Sequence, residues 1–254
     1  MTIFGNPYFQ NVASDFITIA FLTLAGTLVY RFSRRRGLLR FFGCAKTRKL
    51  CLYLSNLDIL FGGAIDPEGK PRGYRGPSTP GYELPFIPAI YRLFQAPVPG
   101  LSSQPGLWRY LALRDVEIVA SPAPGSILDI DEKATLVTVG SLGYNTVSRE
   151  VERSFKPSVQ LSTDGYVISP DGVRHDGSEY AIVGKYYSPE RKQWAFYTAG
   201  PTRVGTTGAF LYLVRHWADL RRTFGDRSPF SMTIRVLDGD PSRCEVVHRF
   251  QQGD

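Results

Sequence analysis

Apolar residues form one long uninterrupted run near the N-terminus of the chain. Residues 16–30 (FITIAFLTLAGTLVY) contain no charged side chain. As an α-helix they extend roughly 22 Å, and residues 12–32 reach about the 30 Å thickness of a hydrocarbon core. Asp15 and Arg31 fall near the two ends of the longer stretch, where Arg31 can reach the lipid head groups. We therefore expect residues 1–32 to form a transmembrane anchor rather than a buried helix of a soluble fold.

Basic residues follow this run directly and predict its orientation. Residues 33–48 form a basic connector, whereas no arginine or lysine precedes the apolar run. Basic residues beside a membrane span favour the cytoplasmic side. We therefore expect a single-pass protein of the inner (plasma) membrane with its C-terminal domain in the cytoplasm. A cleaved signal peptide would carry its positive charge first.

Residues 49–254 alternate between strand-like and helical patterns, which predicts one α/β domain. Helices are expected over residues 83–94, 145–155 and 206–224, the first after a long glycine- and proline-rich loop. The alternation favours a Rossmann-like, mostly parallel sheet, and late hairpins favour antiparallel edge strands. Strands are expected in residues 49–60, 116–121, 134–141, 179–187 and 193–200, in a hairpin over 160–179, and in a pair around Asp238-Gly239.

Charge and cysteine content narrow the classes of function. The net charge is +7, but residues 31–49 hold eight basic and no acidic residues, and residues 50–254 are neutral. A neutral domain lacks the basic surface expected of a duplex nucleic-acid binder. The three cysteines and three histidines are not grouped with metal-ligand spacing, so we expect no metal site and no cofactor.

Two glycine loops, each between a strand and a helix, are the main candidates for a ligand site. Ligands of α/β sheets bind beyond the carboxyl ends of strands, where helix N-termini favour anions. The alternative is that the glycines only form turns and the polar residues only cap helices. The candidate residues are Gly140, Ser141, Asn145 and Thr146 in the first loop, and Gly200, Thr202, Arg203, Gly205, Thr206 and Thr207 in the second.

Two further polar residues are expected at the same sheet edge, and a carboxylate that either enters the site, as an enzyme needs, or lies outside it, as a sensor allows, is expected at the next helix. Ser55 and Asn56 end the first strand, and Glu83 begins the helix that follows the long loop. A carboxylate at this position has the chemistry of a nucleophile or base for N-glycoside cleavage. The alternative for Glu83 is a favourable charge at a helix N-terminus.

Two segments resemble known families. The strand–loop–helix segment AGPTRVGTTGAFLYL (199–213) is similar to the ligand-binding turn of Rossmann-type sensor domains of the CARF kind. That resemblance implies a prokaryotic antiviral effector that binds cyclic oligonucleotides across a dimer interface. The segments LCLYLSN (50–56) and GYELPFIPAIYRLF (81–94) resemble the opening of TIR and nucleoside deoxyribosyltransferase-like domains, with Glu83 near the carboxylate of those families.

Together these features predict a membrane-anchored cytoplasmic sensor. We expect it to bind a nucleotide-like anion at the two glycine loops, to form a homo-oligomer, and to transmit binding to its transmembrane helix. Two alternatives remain: an enzyme that uses Glu83 on a nucleotide or nucleoside, and a membrane-tethered scaffold without a small ligand.

The topology has a direct test. A fluorescent protein fused after Asp254 is expected to fluoresce and a phosphatase fused there to be inactive, because the basic residues after the apolar run hold that end in the cytoplasm. Paired phosphatase and fluorescent-protein fusions measure this in cells. A C-terminus on the outer side would contradict the orientation.

Overall fold

The computed structural model describes residues 7–57, 79–95, 116–162 and 164–251, without the side chains of residues 7–15 and 17. The helices are α1 (Pro7–Phe41), α2 (Cys44–Thr47), α3 (Phe86–Gln95), α4 (Thr146–Phe155) and α5 (Arg203–Phe224). The strands are β1 (Lys49–Leu54), β2 (Glu117–Pro122), β3 (Thr135–Val139), β4 (Gln160–Leu161), β5 (Val167–Ile168), β6 (Arg174–His175), β7 (Tyr180–Ser188), β8 (Gln193–Ala199), β9 (Phe230–Val236) and β10 (Cys244–Gln251).

Seven of these strands form one mixed sheet in the order β10-β9-β7-β8-β3-β1-β2. The neighbours β8, β3, β1 and β2 are parallel to one another. The strands β7, β9 and β10 pair antiparallel on the other side of β8. The expected α/β architecture with an antiparallel edge is therefore confirmed. The expected hairpin over 160–179 forms β4, β5 and β6, which make a separate small antiparallel sheet.

The sheet is covered by helices on both faces. One face packs against α3, α5 and the end of α1, with Leu52 and Phe210 among its buried residues. The opposite face packs against α4 through Val147 and Val151. Strands buried on both faces are apolar at nearly every position, which explains why β1 and β3 read as continuous apolar runs rather than as alternating patterns.

The end of α1 belongs to the core of the domain. This helix runs without a break for 35 residues, through most of the segment that we expected to be a basic connector. Leu38, Leu39, Phe41 and Phe42 are buried. The ring of Phe42 stacks on Phe196 of β8 at 4.7 Å between centroids. Residues 33–48 thus do more than link two parts, since their apolar side chains help to build the domain.

The preceding part of α1 exposes large apolar side chains on all sides. Phe16, Ile19, Phe21, Leu22, Leu24, Val29, Tyr30 and Phe32 are exposed, by 75% for Phe16 and 48% for Phe32. By the length and hydropathy expected of a membrane span, no helix qualifies among the described residues. The expected span starts at Val12, and the side chains of residues 12–15 lie outside the described part of the chain. The transmembrane assignment therefore stays a prediction.

Two threonines in this part of α1 bond within the helix. The hydroxyl of Thr23 donates to the backbone oxygen of Ile19, and that of Thr27 donates to the backbone oxygen of Thr23, each at 2.8 Å. These bonds satisfy the hydroxyls without water. Such internal bonding suits both a lipid environment and a helix–helix contact.

A fully buried lysine lies beneath the end of α1. The Lys185 ammonium lies 4.7 Å from the centre of the Phe41 ring and 4.4 Å from that of Trp194, and it donates to the backbone oxygen of Asp226 at 2.7 Å. Burial lowers the pKa of Lys185 to about 7, against the smaller opposing effect of the Asp226 charge. When Lys185 is protonated, cation–π interactions with the Phe41 and Trp194 rings partly offset the loss of hydration.

The stability of the protein should therefore rise with pH above neutrality. The unfolded chain has an ordinary lysine pKa of about 10.4 and binds more protons than the folded chain between pH 7 and 10. Relative to Lys185→Met, the wild type should gain up to about 1.4 kcal/mol of unfolding free energy per pH unit in this window. Denaturant titrations of the full chain in detergent measure the gain. Lys133→Met, at an exposed lysine, is the control. Parallel pH profiles for wild type and Lys185→Met would contradict the burial argument.

Candidate functional site

A switch point of the sheet topology, called here the crevice, lies at the carboxyl ends of β1 and β3. After β1 the chain passes to the face covered by α3, whereas after β3 it passes to the face covered by α4. Adjacent parallel strands whose connections leave toward opposite faces create the switch point at which α/β sheets bind ligands. After β8, the other neighbour of β3, the chain returns to the first face through α5. Both glycine loops and the start of α3 therefore converge on one sheet edge.

The floor of this crevice is a buried pair formed by Glu83 and Ser55. One carboxylate oxygen of Glu83 accepts a hydrogen bond from the backbone N–H of Ser55, and the other accepts from its hydroxyl, both at 2.7 Å. Glu83 is 0% exposed. It lies just before α3, where the N–H of Phe86 bonds back to its carbonyl oxygen at 2.9 Å. The loop before α3 thus brings this carboxylate over the end of β1.

Burial raises the pKa of Glu83, while hydrogen bonds from the Ser55 hydroxyl, the Ser55 N–H and the Tyr82 hydroxyl oppose that rise. The pKa of Tyr82 is raised as well, first by burial and then by the Glu83 charge. A carboxyl whose pKa is raised by burial is a candidate for general acid or base chemistry. The same three donors also suit a role in which Glu83 only orients the loop.

Gly140 is required for the approach of β3 to this pair. Its φ of +106° lies in the region that favours glycine. A Cβ atom there would lie 2.2 Å from the Ser55 hydroxyl oxygen and 3.5 Å from Glu83 Oε1. The backbone of the first glycine loop therefore rests directly on the Ser55–Glu83 pair.

The rim of the crevice carries one cation and two phenols. Arg203, the first residue of α5, is exposed, and its charge acts on the pKa of Tyr82. Tyr144, in the first glycine loop, also affects the pKa of Tyr82. Tyr82 and Tyr144 are each 37% exposed. The second glycine loop therefore contributes an arginine to the same rim as Tyr82 and the first loop.

Several predicted site residues have their polar groups occupied within the fold. The side-chain amide of Asn145 donates to the backbone oxygens of Tyr53 and Val139, and its oxygen accepts from the N–H groups of Val147 and Ser148. Asn145 is thus the N-cap of α4 and also joins the ends of β1 and β3.

Thr146 and Asn56 likewise bond to the chain beyond β2. The hydroxyl of Thr146 donates to the backbone oxygen of Pro124, and the amide of Asn56 donates to that of Ala123 at 2.8 Å. These bonds hold the loop after β2 against the crevice. For both residues, ligand binding remains a prediction.

The threonines of the second loop mainly shape the start of α5. Thr202 caps this helix by accepting from the N–H of Gly205 and donates to the backbone oxygen of Ser178. The hydroxyl of Thr206 bonds to the backbone of Gly200. A Cβ on Gly200 would lie 2.8 Å from the backbone of Gly205 and Thr206, so glycine permits this close packing. Ser141 and Thr207 are partly exposed and stay candidates for ligand contact.

Tyr82 and Tyr144 were missed by the sequence argument. Tyr82 directly precedes Glu83, and Tyr144 directly precedes the cap residue Asn145. A tyrosine next to a candidate polar residue in a loop could therefore have been predicted to lie at the site.

Among the described residues, no cluster of histidine, cysteine and acidic side chains is arranged to hold a metal ion. No protein-family model, curated protein or solved structure matches this chain.

The contribution of Asn145 to stability has a matched control. Asn145→Ala should destabilise the protein by about 2–4 kcal/mol, because it removes a helix cap and leaves buried backbone groups without partners. Thr202→Ala removes the cap of α5 at a more exposed position and should cost about 1 kcal/mol. Denaturant unfolding of the full chain in detergent compares the two. Equal, small effects would show that Asn145 does not tie the strands together.

Proposed function

We propose that this protein is a membrane-anchored nucleotide sensor, whose ligand binds in the crevice at the carboxyl ends of β1, β3 and β8. The observation that carries the proposal is the path of α5. This helix begins at the rim of the crevice with Arg203, and its second half packs against α1. One continuous element therefore joins the candidate ligand site to the candidate membrane helix.

The charges in the crevice favour a ligand with one anionic and one neutral end. Arg203 and the N-terminus of α5 favour a phosphate group. Glu83 disfavours a second phosphate beside it and favours hydroxyl donors, as an acidic residue does for the ribose of a bound dinucleotide. In the proposed complex the phosphate lies at α5, and the ribose reaches Glu83 and Ser55 once the first glycine loop, which covers this buried pair, moves aside. Tyr82 and Tyr144 offer rings on which a base can stack.

The contact between α5 and α1 supports transmission to the membrane. Trp217 of α5 lies 6.4 Å from the ring of Phe41, and the guanidinium of Arg34 lies 6.0 Å from the ring of Trp217. One turn later, Gly37 faces Arg221 so closely that a Cβ would lie 2.5 Å from its guanidinium. A shift of α5 on ligand binding would therefore displace α1 as well.

The exposed surface of α1 supports the membrane anchor. A helix that is apolar on every side is suited to hydrocarbon, whereas a helix on the surface of a soluble protein has one polar side. The basic residues from Arg31 onward then favour a cytoplasmic domain at the plasma membrane. Packing of α1 helices from several chains would provide the homo-oligomer that we expect of such a sensor.

A second candidate function is cleavage of an N-glycosidic bond in the bound nucleotide. The burial of Glu83 and its raised pKa favour it. In that reaction Glu83 removes a proton from water, the water oxygen bonds to the sugar carbon, and the carbon–nitrogen bond breaks. The base departs with the bonding electrons and takes up a proton. This chemistry needs no metal.

Binding and the role of Arg203 can be measured together. Native mass spectrometry of the purified full chain should reveal a co-purifying nucleotide. Arg203→Ala should weaken binding of that nucleotide by about 1.5–3 kcal/mol in calorimetric titration, the range for a hydrogen bond to a charged group. Arg222→Ala, at the opposite end of α5, is the control and should bind normally. Equal affinity for wild type and Arg203→Ala would remove the support for the proposed site.

The same samples distinguish the two candidate functions. Under the sensor proposal, the nucleotide stays intact during long incubation, and Glu83→Gln weakens binding. Under the second candidate, a free base appears by chromatography, and Glu83→Gln abolishes its release while binding persists. If no nucleotide co-purifies and a panel of common nucleotides fails to bind, the scaffold alternative is favoured.

A further inference from the structure

A second pocket lies at the opposite edge of the sheet, at the amino ends of β3 and β8. Its volume is about 460 Å³, and Thr135, Gln193 and Trp194 are part of its wall. Lys46 of α2 lines it beside the turn between β7 and β8. The crevice with Glu83 lies at the carboxyl ends of the same strands, so the two sites are separated by the length of the sheet.

The wall of this pocket contains a buried acceptor without a partner. The amide nitrogen of Gln193 donates to the backbone oxygens of Asp131 and Ala134 at 2.7 and 2.8 Å. These two carbonyls fix the orientation of the amide, because a reversed amide would place oxygen against oxygen. Gln193 Oε1 is left buried, with no hydrogen-bond partner in the described structure. A buried acceptor without a partner destabilises the fold, and a donor on a ligand would satisfy it.

The pocket is strongly basic. Lys46, Lys133, Arg191 and Lys192 line it, against the single carboxylate of Glu132. Arg191 already bonds to Glu150 at 2.6 Å. In the described part of the chain the three lysines make no ion pair, so their charges remain available for an anion. The hydroxyls of Thr47 and Thr135 add further hydrogen-bonding groups.

We propose that this pocket binds a phosphate group with an adjacent hydroxyl. The lysines neutralise the phosphate, and the hydroxyl donates to Gln193 Oε1. This chemistry occurs in the head group of an anionic phospholipid such as phosphatidylglycerol and in soluble sugar or polyol phosphates. The pocket adjoins α2, which follows the end of α1 by two residues, and residues 33–41 of α1 span about 14 Å as a helix. That short distance from the expected span brings a lipid head group within reach.

The binding test uses the fluorescence of Trp194, which lines the pocket. The full chain in a neutral detergent is titrated with glycerol 3-phosphate, inorganic phosphate, and dihexanoyl phosphatidylglycerol below its micelle concentration. We expect a saturable change with a polyol phosphate, and weaker binding of inorganic phosphate because it has no hydroxyl-bearing carbon chain for Gln193. Tighter binding of the lipid than of glycerol phosphate identifies the membrane as the source, and the reverse identifies a soluble ligand.

Two double variants separate the pocket from general surface charge. Lys133→Gln with Lys192→Gln should raise the Kd by roughly tenfold or more, as expected for lost charge-assisted hydrogen bonds. Arg40→Gln with Arg227→Gln removes the same charge from exposed positions outside the pocket and should bind normally. Equal losses in both variants, equal affinities for inorganic and glycerol phosphate, or no saturable response to any probe would overturn the proposal. Dihexanoyl phosphatidylcholine controls for uptake of lipid without an anionic head group.

Discussion

The direction of the connections around β3 is the constraint on which the candidate site depends. The chain leaves β1 and β8 toward one face of the sheet and leaves β3 toward the other. The end of β3 is therefore the only one of the three from which the chain turns to the α4 face. Gly140 fills that position without a side chain, so the Ser55–Glu83 pair can lie beneath it. A larger residue there would separate β1 from β3.

Burial of a carboxylate at this edge sets a second condition. In the described part of the chain Glu83 accepts no hydrogen bond from a lysine or arginine, and its charge is stabilised by the N–H and hydroxyl of Ser55 and by the hydroxyl of Tyr82. Hydrogen bonds to the charged form stabilise it without neutralising it. In the proposed complex, an ionised Glu83 would repel a second anion, while Arg203 at the rim would attract one.

The order of strands and helices was largely predictable from sequence, because apolar runs, helical periodicity and glycine turns are local signals. The convergence of Gly140 and Gly200 at one edge followed from the rule for parallel strands. The occupation of Asn145, Thr146 and Thr206 by backbone partners was not predictable, because their partners Tyr53, Pro124 and Gly200 depend on tertiary packing. For the same reason, the continuation of α1 into the core was not predictable from local patterns.

The two edges of the sheet differ in their chemistry. The carboxyl edge holds a carboxylate, phenols and one arginine, whereas the amino edge holds lysines around Gln193. Parallel strands make this separation possible, since the loops that follow the strands all lie at one edge and the loops that precede them all lie at the other. The pocket at the amino edge was not predictable from sequence, because Lys46, Lys133 and Gln193 come from three distant segments.

The unbroken course of α1 has a geometric consequence. Because Phe41 and Phe42 are locked among Phe196, Trp217 and Phe230, the helix has no swivel between its exposed apolar part and the domain. Each residue of an α-helix advances the chain by about 100° of rotation. The rotation of the domain about the axis of the exposed helix is thus fixed by the number of residues between Phe32 and Phe41. Adding a single residue there would rotate the whole domain by more than a quarter of a circle.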